Sequence, residues 1–166
     1  MDADATLGDA ITYVKTHQED GIACPCCGQL VKVYQRKLNA NMAAFLVQLY
    51  FSKHHKGAEW AHYTDLKFRG RDYNYLAHFG LAETDTAPNA EMDGTSRKTG
   101  NWRITPAGKT FVEGRAVMSR VCLVLDNHVV GFTGEKVTIH DALGDYFNYS
   151  ELMAGVVNPL RKGKGQ

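Results

Sequence analysis

Apolar residues recur at helical spacing in some stretches of the chain and alternate with polar ones in others, and the two periods predict different elements. Leu7, Ala10, Ile11 and Val14 fall at i, i+3, i+4 and i+7, which predicts a helix from Thr6 to His17. Thr6 stands at its N-cap, with Asp9 three residues on. The run QLVKVYQRKL alternates and reads as a short strand. Asn39 or Asn41 then caps a longer helix, whose apolar stripe is Met42, Phe45, Leu46, Leu49 and Tyr50. A polar break, SKHHKGAEW, follows, and HYTDLKF, with Thr64 as its cap, predicts a short second helix. GRDYNYLAHFGL predicts a third helix that stops at Gly80. At about 100° per residue it sets Tyr73, Leu76, Ala77 and Gly80 on one face and Arg71, Asn74, Tyr75 and His78 on the other.

Beyond Gly80 the pattern turns to strands. LAET and WRIT are strand-like ends around a polar loop from Asp85 to Gly100. In TPAGKTFVEG, Thr105 caps a helix of about two turns, Pro106 takes its first position and Gly114 lies past its end. RVCLVLDNHVVGFT predicts a hairpin turning at Asp126 and Asn127. TIHDAL and YSELM predict short helices, and NPLRKGKGQ is a basic tail without apolar pattern. The expected units are an N-terminal helix with a cysteine turn over residues 1–38, a central domain over 39–114, a hairpin with short helices packed on it over 115–157, and the tail over 158–166.

A chain of 166 residues with 44% apolar content can bury one real core. Its 19 Lys and Arg against 18 Asp and Glu leave no global field to attract an anionic partner, so any case for nucleic acid rests on local clusters. The acidic start MDADATLGDAITYVKTHQED lacks a basic opening followed by an apolar stretch, so it does not read as a secretory signal. No segment reaches the roughly 20 apolar residues that cross a bilayer. The expected setting is cytoplasmic, where thiols stay reduced and four cysteines read as ligands or core residues before disulfides.

In CPCCG, Cys24 and Cys27 stand at the spacing of a zinc knuckle, with Gly28 letting the chain turn beneath the ion. No second such pair exists in the chain. A third ligand must come from elsewhere, and His62, beside Trp60, is the first candidate. The competing reading is a cysteine turn held by packing alone, since free cysteine behaves as a small apolar residue. Thiol redox chemistry needs the pair to open a helix after a strand, whereas here a glycine and a basic strand follow. Cys122, inside VCLVL, is expected in the core.

Basic residues cluster in three places. Lys32, Arg36 and Lys37 lie in a stretch, Gly21 to Ala40, that holds no acid. They are either a strip facing phosphates or the lysine-rich edge of a sheet. Lys67, Arg69 and Arg71 lead into the third helix. There Arg71 and Asn74 are the residues suited to base edges, while Arg69, Tyr75 and His78 would meet the backbone or the groove. Asp72 weighs against this by bringing negative charge to the same place. Arg97 and Lys98 lie where a wing would touch DNA, beside the acidic Glu91 and Asp93. The KHHK patch at His54 and His55 reads as a solvated helix end. No nucleophile with a neighbouring base, phosphate loop or pair of catalytic carboxylates stands out, so no enzyme is expected.

Three helices, a strand, a long loop and a returning strand are the order of a winged helix-turn-helix, an α+β architecture whose third helix enters the major groove. GLAET…WRITPAGKTFVEG resembles the wing of many bacterial winged-helix proteins, and that resemblance spans Asn39 to Gly114. CPCCGQLVKVYQRKLN, WRITPAGKTFV, VVGFTGE and YSELM, in this order, resemble small phage-encoded proteins that join a cysteine knuckle to a winged-helix-like core. This wider resemblance implies an infected bacterium as the setting and brings no mechanism with it. The function expected is a non-enzymatic winged-helix protein that binds duplex DNA, a phage transcription regulator, with zinc in its knuckle or none. The alternative is an adaptor or inhibitor that grips a host protein of transcription or replication. A homodimer is common among such regulators, although no long helix here offers a seam.

Overall fold

Thr6, Asn39, Thr105, Thr138 and Asn148 each accept a hydrogen bond from a backbone N–H of the following turn, and each opens a helix. In the computed structural model, which describes residues 4–66, 70–88 and 96–155, these helices are α1 (Leu7–His17), α2 (Ala40–Lys56), α3 (Pro106–Val112), α4 (Ile139–Leu143) and α5 (Tyr149–Met153). Lys67, Arg69, the residues around Glu91 and Asp93, the side chains of KHHK at 54–56 and the basic tail lie outside the described residues. The protein is of mixed α+β class. Among the described residues no helix is long and apolar enough to cross a membrane.

The strands form three small antiparallel sheets. β1 (Ile22–Ala23) pairs with β2 (Leu30–Val31) around the cysteine turn. β3 (Tyr34–Lys37), β7 (Met118–Leu125) and β8 (His128–Val137) lie in that order, with β7 central. β4 (Ala61–His62), β6 (Ser96–Ile104) and β5 (Ala82–Pro88) form the third, with β6 central. The β7–β8 turn is built by Asp126 and Asn127, both at positive φ, as its sequence predicts.

Several expectations are corrected. α2 extends into the polar break and ends within it, at Lys56, where Gly57 at φ 68° stops the helix. HYTDLKF opens as strand β4 and a turn, because Ala61 and His62 find partners in Trp102 and Asn101 of β6. The third helix is a 3₁₀ helix, Asp72–Ala77. Tyr73, Leu76 and Phe79 recur every third residue and are all buried, a spacing that eclipses them on one ridge of a 3₁₀ turn. The single strand expected over QLVKVYQRKL divides at Lys32 and Val33, because its two ends pair with different strands. The loop expected from Asp85 to Gly100 begins and ends as ladder, with Thr86 opposite Lys98, Ala87 opposite Arg97 and Pro88 opposite Ser96.

α2 lies at the centre and touches the 3₁₀ helix, α3, α4, α5 and β6. Met42 through Val47 are all fully buried, so the helix is enclosed on every side, beyond the single stripe its sequence shows. Phe45 stacks on Tyr73 at 4.4 Å between ring centroids, and Trp102 meets both rings edge-on. One buried cluster runs from Leu38 to Leu152 and includes Cys122, Val124, Ile139 and Leu143, so the hairpin and short helices up to Met153 share the core of the central segment. Cys122 is fully buried there, as expected.

One tie between α2 and α3 is titratable. Tyr50 Oη donates to Glu113 Oε1 at 3.0 Å, and Arg115 pairs with the same carboxylate. The Arg115 hydrogen bond, helped by Tyr50, holds the Glu113 carboxyl below its ordinary value. A depressed carboxyl stabilises the fold at pH above its unfolded value, and that contribution is lost as pH falls through the folded one. Asp9 and Asp141, whose carboxylates close capping boxes with Thr6 and Thr138, act in the same sense. Thermal melts from pH 6 to about pH 3 should therefore show a falling midpoint, and Glu113→Gln should shrink that fall. An acid limb of unchanged depth in Glu113→Gln would remove this carboxyl from the account.

Candidate functional site

The 3₁₀ helix and the β5–β6 hairpin enclose a cleft of about 660 Å³. Its inner wall is aromatic because β6 places the buried Trp102 against the buried Tyr73. Tyr63, 39% exposed, lies at the rim with its ring stacked 6.0 Å from Tyr73. Arg71 and Asn74 line it from the 3₁₀ helix and Lys98 from β6, where its Nζ stands 6.0 Å from the Trp102 ring centroid. No acidic residue lines the cleft among the described residues.

Local electrostatics follow from where the nearby carboxylates are engaged. Asp72 accepts a hydrogen bond from Asn39 Nδ2 at 3.0 Å, at the cap of α2. That bond orients the Asp72 carboxylate toward α2, and its charge remains next to Arg71. Glu83 pairs with Arg103 at 2.9 Å, and Arg103 also reaches Glu59 at 3.4 Å while lying over the Trp60 ring. Asp85 accepts from Thr99 Oγ1 at 3.1 Å. Among the described residues no ion pair engages Arg71, Arg97 or Lys98, and all three are exposed.

The four residues expected on one reading face are divided. In a 3₁₀ helix Arg71 and Asn74 share one ridge, and Tyr75 and His78 another. Arg71 and Asn74 face the cleft, although Asn74 Nδ2 donates to the Arg71 carbonyl at 2.8 Å, which occupies half of the amide that would read adenine. Tyr75 and His78 are half-buried and stack on each other. Arg36 lies 4.5 Å from the Tyr75 ring centroid and 5.1 Å from that of Tyr34, and His78 Nε2 meets Asn127 Oδ1 at 3.2 Å. This pair joins the 3₁₀ helix to the β3–β7–β8 sheet and does not stand ready for DNA.

The strip of Lys32, Arg36 and Lys37 is likewise dispersed. Lys32 lays its stem over Gly21, and Arg36 is held between two tyrosine rings. Lys37 stays exposed on β3, an edge strand, which fits the edge reading of these residues better than a phosphate strip.

At the cysteine turn Cys24 N donates to the Gln29 carbonyl at 2.7 Å and Gly28 N to the Cys24 carbonyl at 2.8 Å, with Gly28 at φ 73°. The backbone N–H groups of Cys26 and Cys27 donate to the Cys24 sulfur and hold its thiol below the ordinary value. Burial, followed by the neighbouring Cys24, pushes Cys26 up. His62 does not join them. It sits on β4, its Nδ1 2.7 Å from Thr64 Oγ1 and its ring packed on Tyr63 and the backbone of Gly100. Among the described residues no group of three or more His, Cys, Asp or Glu side chains is placed to hold a metal ion.

Sequence reasoning found Arg71, Asn74 and Lys98 but missed Tyr63, Tyr73 and Trp102 as their surroundings. No local pattern signals these aromatics, because only the pairing of β4 with β6 brings Tyr63 beside Trp102. No family model matches the chain, and no curated protein or solved structure is significantly similar to it.

Proposed function

We propose that the protein is a non-enzymatic DNA-binding protein of winged-helix type, which meets duplex DNA through the cleft between the 3₁₀ helix and the β5–β6 hairpin. The observation that carries this reading is the cleft itself, which has two unpaired cations, an aromatic wall and no acid among the described residues. The sheet order supports it. A winged helix places a short strand between its first helices and pairs it with the returning strand of the wing, as β4 pairs with β6. Arg71, Lys98 and Arg97 contact phosphates, while the half-occupied Asn74 amide and the short 3₁₀ helix leave little for base reading. Binding is therefore expected to be mainly sequence-tolerant, in keeping with an architectural or regulatory role on phage or host DNA.

A second reading has its own observation. Val130 and Phe132, 52% and 48% exposed, lie two apart on β8, an edge strand with no strand on its outer side among the described residues. Such a strand is a template for strand addition by another protein, so an adaptor that grips a host factor would use this edge. Salt separates the two readings. Titration of random-sequence duplex at about 50 and 200 mM salt should show an affinity that falls about tenfold or more with salt, as phosphate contacts require. No duplex binding at the lower salt would reject the DNA reading and leave the β8 edge as the functional surface.

A further inference from the structure

The turn between β1 and β2 carries Cys24 and Cys27 at the spacing of two zinc ligands. It is closed by the bonds between Cys24, Gly28 and Gln29, with Gly28 at φ 73°. Cys26 and Cys27 are exposed and Cys24 partly so. A closed structural zinc takes four ligands, and a pair of thiolates selects zinc among the common divalent ions. The described residues supply no third side chain, and His62 is committed to Thr64.

Large apolar side chains stand exposed on the hairpin and on the segments that flank it in the chain. Leu30, opposite Ala23 and so beside Cys24 in the hairpin, is 66% exposed, and Tyr34, at the start of the next strand, is 43% exposed. On α1, which leads into the same hairpin, Leu7 and Ile11 also face outward. Exposed side chains of this size are what a covering partner would bury. A second copy of the chain fits both needs at once. It brings two further thiolates and a matching apolar surface, and a site shared by identical halves closes on a two-fold axis.

We propose that two copies of this chain share one zinc ion, held by Cys24 and Cys27 of each, with Leu30 and Tyr34 flanking the contact. Each thiol releases its proton to solvent as it binds, and zinc changes no oxidation state, so no further reactant is needed. Cys26 is assigned no ligand role, because the knuckle spacing of two residues between ligands belongs to Cys24 and Cys27. The inference does not depend on the DNA reading.

The test measures mass and metal together on the full chain. Protein loaded with zinc and freed of excess should sediment as a dimer carrying about one zinc per two chains. A chelator should return it to monomer, and added zinc should restore the dimer. Cobalt(II) in place of zinc should give the strong sulfur-to-metal absorption and visible bands of a tetrahedral four-thiolate site. Cys24→Ser with Cys27→Ser should remove both metal and dimer, whereas Cys26→Ser should keep both. One zinc per chain on a monomer, no zinc uptake by the folded wild type, or a dimer indifferent to chelator would each overturn the proposal. If the double variant misfolds, the wild-type cobalt spectrum and the response to chelator decide the matter alone.

Discussion

Replacing Arg71 and Lys98 together by glutamate should lower affinity for duplex DNA at least about tenfold at low salt while leaving the fold intact. Both side chains line the same cleft, both are exposed, and neither takes part in an ion pair among the described residues. Reversal removes two phosphate contacts and sets two carboxylates against the backbone. The slope of log affinity against log salt should accordingly become shallower by about two. Surface changes of this kind ordinarily move stability by about 0.5 kcal/mol or less, so the melting curve serves as the control. Fluorescence anisotropy on a labelled duplex measures both quantities. Unchanged affinity in the doubly reversed protein would take DNA out of this cleft and favour the β8 edge.

Gly108→Ala should destabilise the protein by about 3 kcal/mol, the upper part of the range for overpacked cores. Gly108 is buried in the first turns of α3, where its N–H donates to Thr105 Oγ1 at 3.0 Å. A Cβ at this position would overlap the Leu81 carbonyl oxygen and stand 2.9 Å from Ile104 Cγ1. The obstacle is backbone and cannot rotate away. Leu81 is fixed by its own N–H to the Leu76 carbonyl at 3.1 Å, and its carbonyl accepts from Thr105 N at 3.2 Å. Intrinsic helix propensity argues the opposite sign, since alanine exceeds glycine by about 1 kcal/mol in a helix interior. The two effects thus separate cleanly in urea or thermal unfolding, where a loss of about 3 kcal/mol lowers the midpoint by roughly 10 °C in a chain of this size. A more stable alanine variant would show that α3 does not rest on the Leu81 carbonyl.

Gly108 also shows how a residue can be noticed in a sequence for one reason and matter for another. The phrase WRITPAGKTF marks it as part of a wing-to-helix junction, but the close approach that forbids a side chain there depends on Leu81, far back in the chain. Arg36 is a parallel case. Its sequence setting is a basic strip, and its position between Tyr34 and Tyr75 is fixed by the packing of the 3₁₀ helix on β3. Asp72 is a third case, since its bond to Asn39, which ties the 3₁₀ helix to the cap of α2, has no local sequence signal.

By itself the sequence determined the features whose causes lie within a few residues. These include the caps at Thr6 and Thr105, the turn at Asp126 and Asn127, the cysteine turn closed at Gly28 and the mixed α+β character. The tertiary structure alone decided that residues 72–77 wind as a 3₁₀ helix, that Ala61 and His62 become a strand, and that His62 stands apart from the cysteines. It also decided that Arg71, Lys98, Tyr63 and Trp102 enclose one cleft. The division has a physical reason. Caps and turns satisfy backbone groups of their own segment, whereas strand partners, helix winding and the neighbours of a charged side chain are set by burial against residues distant in the chain.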